Sequence, residues 1–196
     1  MNSNIKLSIS NKKIQVLLMF AGVFCCVAMS MPQVHIVPLC IDNGFGLAVG
    51  TEILSFMLFA AVTSRVLFGF LSDKIGQIQT LILGSTLQAI SLSMFLPFNS
   101  QLSLYIVAIC FGLSQGGIVP IYAVIISKFL PENEVAERVG LLIFATIVGM
   151  SLGGWLSGEI YDYTNSYQMA FLNGIFWNLI NLLIMFYLFL NLKSFI

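Results

Sequence analysis

An arginine stands inside an apolar run in the stretch SRVLFGFLSDKIG, Ser64 to Gly76. Its guanidinium is always charged, and its planar fork of donors matches a carboxylate. Two uses of Arg65 are open: a fixed cation holding an anionic substrate in a watery cavity, or a long side chain that snorkels to the nearer surface. His35, the single histidine, is of a type that titrates near neutral pH. It would suit proton coupling, or it sits at an interface. GLSQG, Gly112 to Gly116, matches the nucleophile-elbow pattern G-x-S-x-G. That elbow needs a strand-to-helix turn and a base beside the serine. Ser114 lies within an apolar run and His35 on another, so an intramembrane serine hydrolase is the weakest reading. Gln115 and Tyr122 follow in the same run and offer hydrogen bonds to a ligand. Cys25, Cys26, Cys40 and Cys110 form no CxxC pair and read as packing residues, so neither a metal centre nor a disulfide framework is expected, and no cofactor.

The elements that must position these groups follow from composition. Apolar residues make up 59% of the chain and charged ones 8%, against about a quarter charged in soluble domains. A chain of 196 residues cannot hide that much apolar surface from water, so it is an integral membrane protein. Formal net charge is zero, which gives no footing for nucleic acid. A membrane helix needs about 20 apolar residues, and the sequence predicts six, at about 14–39, 48–71, 78–97, 102–129, 137–160 and 168–191. A polar tail, residues 1–13, precedes them and a short one, 192–196, follows. The expected fold is an all-α bundle of six transmembrane helices.

Cytoplasmic loops collect Lys and Arg. With the amino terminus inside, threading six spans puts Lys6, Lys12, Lys13, Arg65, Lys74, Lys128, Arg138 and Lys193 on or near the cytoplasmic side, which is all 8 basic residues. Both termini are then cytoplasmic. Span 1 carries MSMPQVHIVP, with Pro32 and Pro38; span 4 carries GLSQGGIVP, with Gly112, Gly116, Gly117 and Pro120. These are the first helices of two successive three-helix groups that enter from opposite sides, as an inverted repeat requires. Helices interrupted at matched positions of two repeats point to a transport pathway. Span 5 spaces Gly149, Gly153, Gly154 and Gly158 for close helix packing, and span 6 is apolar nearly all round.

The pattern R-x3-G-x2-S-D-K-x-G, from Arg65 through Gly69, Ser72, Asp73 and Lys74 to Gly76, resembles the signature loop of the major facilitator superfamily, between the second and third helices of a six-helix half. Gly69 would let a neighbouring helix approach, Asp73 would stabilise the next helix or pair with a cation, and Gly76 would turn the chain. Gln77 stands where the family often has a basic residue. More widely, MSMPQVHIVPLC, GLSQGGIVPIYAVIISKFLP, ERVGLLIFATIVGMSLGGWLSG and YDYTNSYQMAFLNG resemble the carboxy-terminal half of bacterial monocarboxylate-transporter-like proteins, a branch shared with oxalate–formate antiporters. The resemblance implies that Arg65, four residues before Gly69, binds a substrate carboxylate. Ala61 replaces the acidic residue that mammalian relatives carry four positions earlier, and span 5 lacks the lysine of the oxalate–formate antiporters, which argues against a dicarboxylate.

The resulting expectation is one half of a secondary active transporter for a small monocarboxylate, proton-coupled, in a bacterial inner membrane. Its partners would be the lipid bilayer and a complementary six-helix half or a second copy of the chain. The alternative is a six-span protein with an accessory role, truncated from a transporter and inactive alone. The substrate-binding set is Arg65, His35, Gln115 and Tyr122; the motif set is Gly69, Asp73, Lys74 and Gly76.

Overall fold

The computed structural model describes residues 10–97 and 100–192; the tail lysines Lys6 and Lys193 lie outside the described residues. Among the described residues seven α-helices make up the bundle: α1 Asn11–Asp42, α2 Gly46–Ile75, α3 Gln77–Met94, α4 Gln101–Gln115, α5 Ile118–Phe129, α6 Val135–Thr164 and α7 Tyr167–Leu192. There is no strand among the described residues. Five stretches are long and apolar enough to cross a membrane, Asn11–Asp42, Gly46–Ile75, Gln101–Phe129, Glu132–Thr164 and Tyr167–Leu192. The third expected span is the exception. At 18 residues α3 is the shortest of the unbroken helices, and it carries Thr80, Ser85, Gln88 and Ser91 on its buried side. Those groups are satisfied inside the bundle: Asn178 Nδ2 donates to the Ser85 carbonyl at 2.8 Å and Asn181 Nδ2 to Ser85 Oγ at 2.9 Å, both from α7.

The two helices expected to be interrupted behave differently. α1 runs unbroken through Pro32 and Pro38. The fourth span is divided at Gly116–Gly117 into α4 and α5. The reason is local. Pro120 has no N–H, so the Gly116 carbonyl loses the donor four residues on. Two successive glycines then add the least resistance to leaving the helix.

α1 packs chiefly on α6 and α7, and α4–α5 chiefly on α2 and α3. Exchanging the first three-helix group with the second converts one set of neighbours into the other, which is the packing of an inverted repeat. Small residues set these approaches. A Cβ added at Gly116 would overlap the backbone of Ala61 on α2, and one at Gly153 the backbone of Val27 on α1. Gly76 holds φ at +93°, which an L side chain rarely adopts, and so turns α2 into α3 within one residue. Outward, α2, α6 and α7 present large apolar side chains: Phe59 is 73% exposed, Leu183 70% and Leu190 71%. A surface of that kind is stable against lipid or another apolar protein face, not against water.

Candidate functional site

The site is built around the division between α4 and α5. In an unbroken helix the Gly117 N–H would bond the Leu113 carbonyl. Here the Ser64 hydroxyl of α2 stands between them. It accepts from Gly117 N at 3.2 Å and donates to the Leu113 carbonyl at 2.7 Å. Ser64 is wholly buried, so this insertion satisfies two backbone groups that would otherwise be orphaned in an apolar interior.

Arg65 is the next residue, and this splice fixes its height. Gln115 lies between the two backbone groups that Ser64 touches, so Arg65 stands at the level of the broken segment. α2 continues ten residues past Arg65 to Ile75, about 15 Å at 1.5 Å per residue. The last turn carries the exposed Asp73 and Lys74, so the apolar run itself ends at Leu71, six residues or about 9 Å beyond Arg65. The side chain is exposed on the outer face of α2. Among the described residues the ion pair that forms is Arg138 with Glu134, and Arg65 takes no part in it.

Gln115 is buried, and its Oε1 accepts from Gln33 Nε2 of α1 at 3.0 Å. Its own Nε2 is buried with no hydrogen-bond partner. Gln33 is the site residue that sequence reasoning missed. The signal was present as a repeated hexapeptide, Gln33-Val34-His35-Ile36-Val37-Pro38 and Gln115-Gly116-Gly117-Ile118-Val119-Pro120. Residues equivalent under a two-fold relation can bond each other only near the axis, so the two glutamines mark where the repeats meet.

His35 and Tyr122 lie elsewhere. Two residues apart on a helix point to different faces; Gln33 meets α4, whereas His35 Nε2 is 3.2 Å from the Gly154 carbonyl of α6 and therefore carries the proton there. Its ring lies 6.3 Å from that of Tyr167. Tyr161 and Tyr167 both donate to Asp42 Oδ2, at 2.7 and 3.1 Å. His35 thus belongs to a cluster that ties the end of α1 to the α6–α7 turn. Tyr122 is fully buried, and its hydroxyl donates to Asn181 Oδ1 at 2.8 Å. Its one proton is committed to the α7 network rather than offered to a ligand.

Ser114 donates to the Phe111 carbonyl of its own helix at 2.7 Å, and His35 is engaged with Gly154, so the elbow pattern has no serine–histidine pair behind it. In the α2–α3 loop, Asp73 and Lys74 are exposed, and the first turn of α3 has no side-chain cap. Asp73 thus makes no capping hydrogen bond to α3. Gln77 accepts from Lys128 Nζ of α5 at 3.0 Å, a bond that a basic residue at that position would replace with repulsion. No heavy atom lies within 4 Å of a Cβ built on Gly69, so the room it leaves is not used by a neighbour within this chain.

The sequence profile of the Major Facilitator Superfamily matches residues 16–194. Among curated relatives, Monocarboxylate transporter 13 of Rattus norvegicus is 28% identical over 143 residues, covering 72% of this chain and 33% of the relative. The MFS-type transporter opdF of Penicillium oxalicum is 29% identical over 157 residues, covering 76% of this chain and 37% of the relative. The chain thus spans about a third of the length of these relatives. Among solved structures, the POT family transporter PepTSo superposes with a TM-score of 0.80 at 11% identity, over 91% of this chain and 38% of that one. This likeness is one of fold. The relatives are transporters rather than enzymes, and the helices are those of an integral multi-pass membrane protein. The match along nearly the whole chain and the half-bundle architecture agree: the chain belongs to the major facilitator superfamily.

Proposed function

We propose that this chain supplies one six-helix half of a secondary active transporter for a small monocarboxylate, with Arg65 holding the carboxylate and transport coupled to protons. The observation that carries the reading is the position of Arg65. It is a permanent cation on an exposed helix face, level with the helix break and about 9 Å inside the end of the apolar run at Leu71. A charge at that depth against hydrocarbon is costly, and a carboxylate in a hydrated cavity both relieves the cost and fits the guanidinium fork. The monocarboxylate transporter among the relatives supports the substrate class. A complementary six-helix half, or a second copy of this chain, would cover the face that bears Arg65. Orientation follows the basic residues, with both ends cytoplasmic in a bacterial inner membrane. His35 is the candidate proton-responsive group, at the α1–α6–α7 end cluster.

The test is substrate binding by purified Arg65 variants, read by calorimetry with lactate and pyruvate in the assembled transporter. Arg65→Lys keeps the charge and loses the fork, so affinity falls. Arg65→Gln leaves the carboxylate without a cation, and binding is lost. Full affinity in Arg65→Gln would make Arg65 a snorkelling anchor and remove the carboxylate assignment.

A further inference from the structure

The internal repeat extends beyond the shared hexapeptide. Met57-Leu58-Phe59-Ala60-Ala61-Val62-Thr63-Ser64 on α2 and Met150-Ser151-Leu152-Gly153-Gly154-Trp155-Leu156-Ser157 on α6 share the pattern Met, two residues, two small residues, two residues, Ser. The packing keeps the same register. Ala60 meets Gly112 as Gly153 meets Ser30, and Ala61 meets Gly116 as Gly154 meets Val34. Ser64 and Ser157 are therefore structural mates, and both are buried.

The mates are used differently. Ser64 reaches out of its helix and splices the break between α4 and α5. Ser157 turns back to the Gly153 carbonyl of its own helix, beside an α1 that is unbroken. Yet α1 carries the same weak point: Pro38 occupies the place of Pro120 and deprives the Val34 carbonyl of a donor, as Pro120 does Gly116. Met31 stands in the place of Leu113 and His35 in that of Gly117.

We propose that Ser64 and Ser157 are paired positioning residues that splice the two first helices of the repeats in alternation. In the state opposite to this one, α1 opens at Val34–His35. Ser157 then accepts from the His35 N–H and donates to the Met31 carbonyl. Ser64 turns back to the Ala60 carbonyl, and α4 and α5 close into one helix. Gln33 and Gln115, on the axis, keep their bond in both states. The contact of His35 Nε2 with the Gly154 carbonyl holds α1 closed in the present state. A swap of this kind exchanges the conformations of the two inverted repeats, which gates a site first from one side and then from the other. It rests on membership of a transporter family and not on the identity of the substrate.

The experiment is hydrogen exchange of the chain in lipid nanodiscs, without substrate, reading the backbone amides of Ile36 and Val37, the mates of Ile118 and Val119 just past the α4–α5 break. Exchange there tracks the population in which α1 is open. Ser64→Ala weakens the present state, and these amides exchange about fivefold faster, the factor set by one hydrogen bond of ordinary net strength. Ser157→Ala weakens the opposite state, and the same amides exchange about fivefold slower. The double variant returns near the wild-type rate. Amides of α3 near Ser85 report that each variant is folded, and Ser64→Cys, of similar volume, gives a smaller shift in the same direction if the alanine variant inserts poorly. Like removals with opposite effects are not produced by local loosening. An unchanged rate at Ile36 and Val37 in either single variant, or acceleration in both, would overturn the proposal.

Discussion

Replacing Gly116 with alanine tests the close approach on which the site's geometry depends. The added Cβ would overlap the Ala61 carbonyl oxygen and Cα, both backbone atoms that cannot rotate aside. To reach ordinary contact, α2 must retreat by roughly 1 Å, and overpacking of this kind costs about 1–3 kcal/mol. The retreat also stretches the Ser64 bonds, now 2.7 and 3.2 Å, to the edge of hydrogen-bonding range or past it. Each bond contributes about 0.5–1.5 kcal/mol net. Against this stands the better helix propensity of alanine, about 1 kcal/mol. The balance is a loss of about 1–5 kcal/mol, near 3 at the middle of these ranges. Gly140→Ala is the control: it lies within α6 with no heavy atom within 4 Å of the new Cβ, so propensity acts alone and stability rises by up to about 1 kcal/mol. Thermal unfolding in detergent, followed by tryptophan fluorescence, should separate the variants by roughly 8–16 °C, taking about 2–4 °C per kcal/mol for a chain of this size. Gly116→Ala as stable as Gly140→Ala would refute the claim that backbone contact sets the α2–α4 spacing.

Tyr122→Phe leaves the buried Asn181 Oδ1 without its donor and should cost about 1–3 kcal/mol; because the hydroxyl faces α7, ligand affinity per folded molecule should not change. Gly76→Ala forces a side chain into φ of +93° and ψ of 155°, a region essentially reserved to glycine, and should lower stability by about 1–3 kcal/mol in the same unfolding assay. Reporter fusions after Lys74 and Lys128 should be active only where cytoplasmic folding is required, and fusions after Asp42 and Ser100 only where export is required; reversal at two of these positions contradicts the orientation.

The helices were legible because hydrocarbon imposes a length and an apolarity that a sequence displays openly. Their faces were not. A helix that is apolar all round gives no periodicity to say which side meets a neighbour, and so Tyr122 read as a cavity residue although its hydroxyl is turned to Asn181. Proline and glycine marked weak points correctly as chemistry but not which would yield: α1 absorbs Pro32 and Pro38, whereas Pro120 joined to Gly116–Gly117 divides its helix. Arg65 stood out as a candidate because charge is rare in this chain. Gln33 was missed because an amide near a proline draws no notice alone, and only its alignment with Gln115 exposes it. Asp73 and Gly69 matched a motif, yet what each does depends on packing partners that a pattern of letters does not specify.

The dependence of α3 on α7 sets an order of events during synthesis. α3 is less apolar than the other unbroken helices, and the donors that satisfy Ser85 are Asn178 and Asn181. Those asparagines leave the ribosome roughly 90 residues later, which at about 5–20 residues per second is several seconds. Through that interval α3 must stay beside the insertion machinery or shelter against α1, where Gln88 already meets Cys25. α7 is then the helix that releases the third into the bilayer, and a nascent chain arrested before α7 would hold a helix with no settled place in lipid.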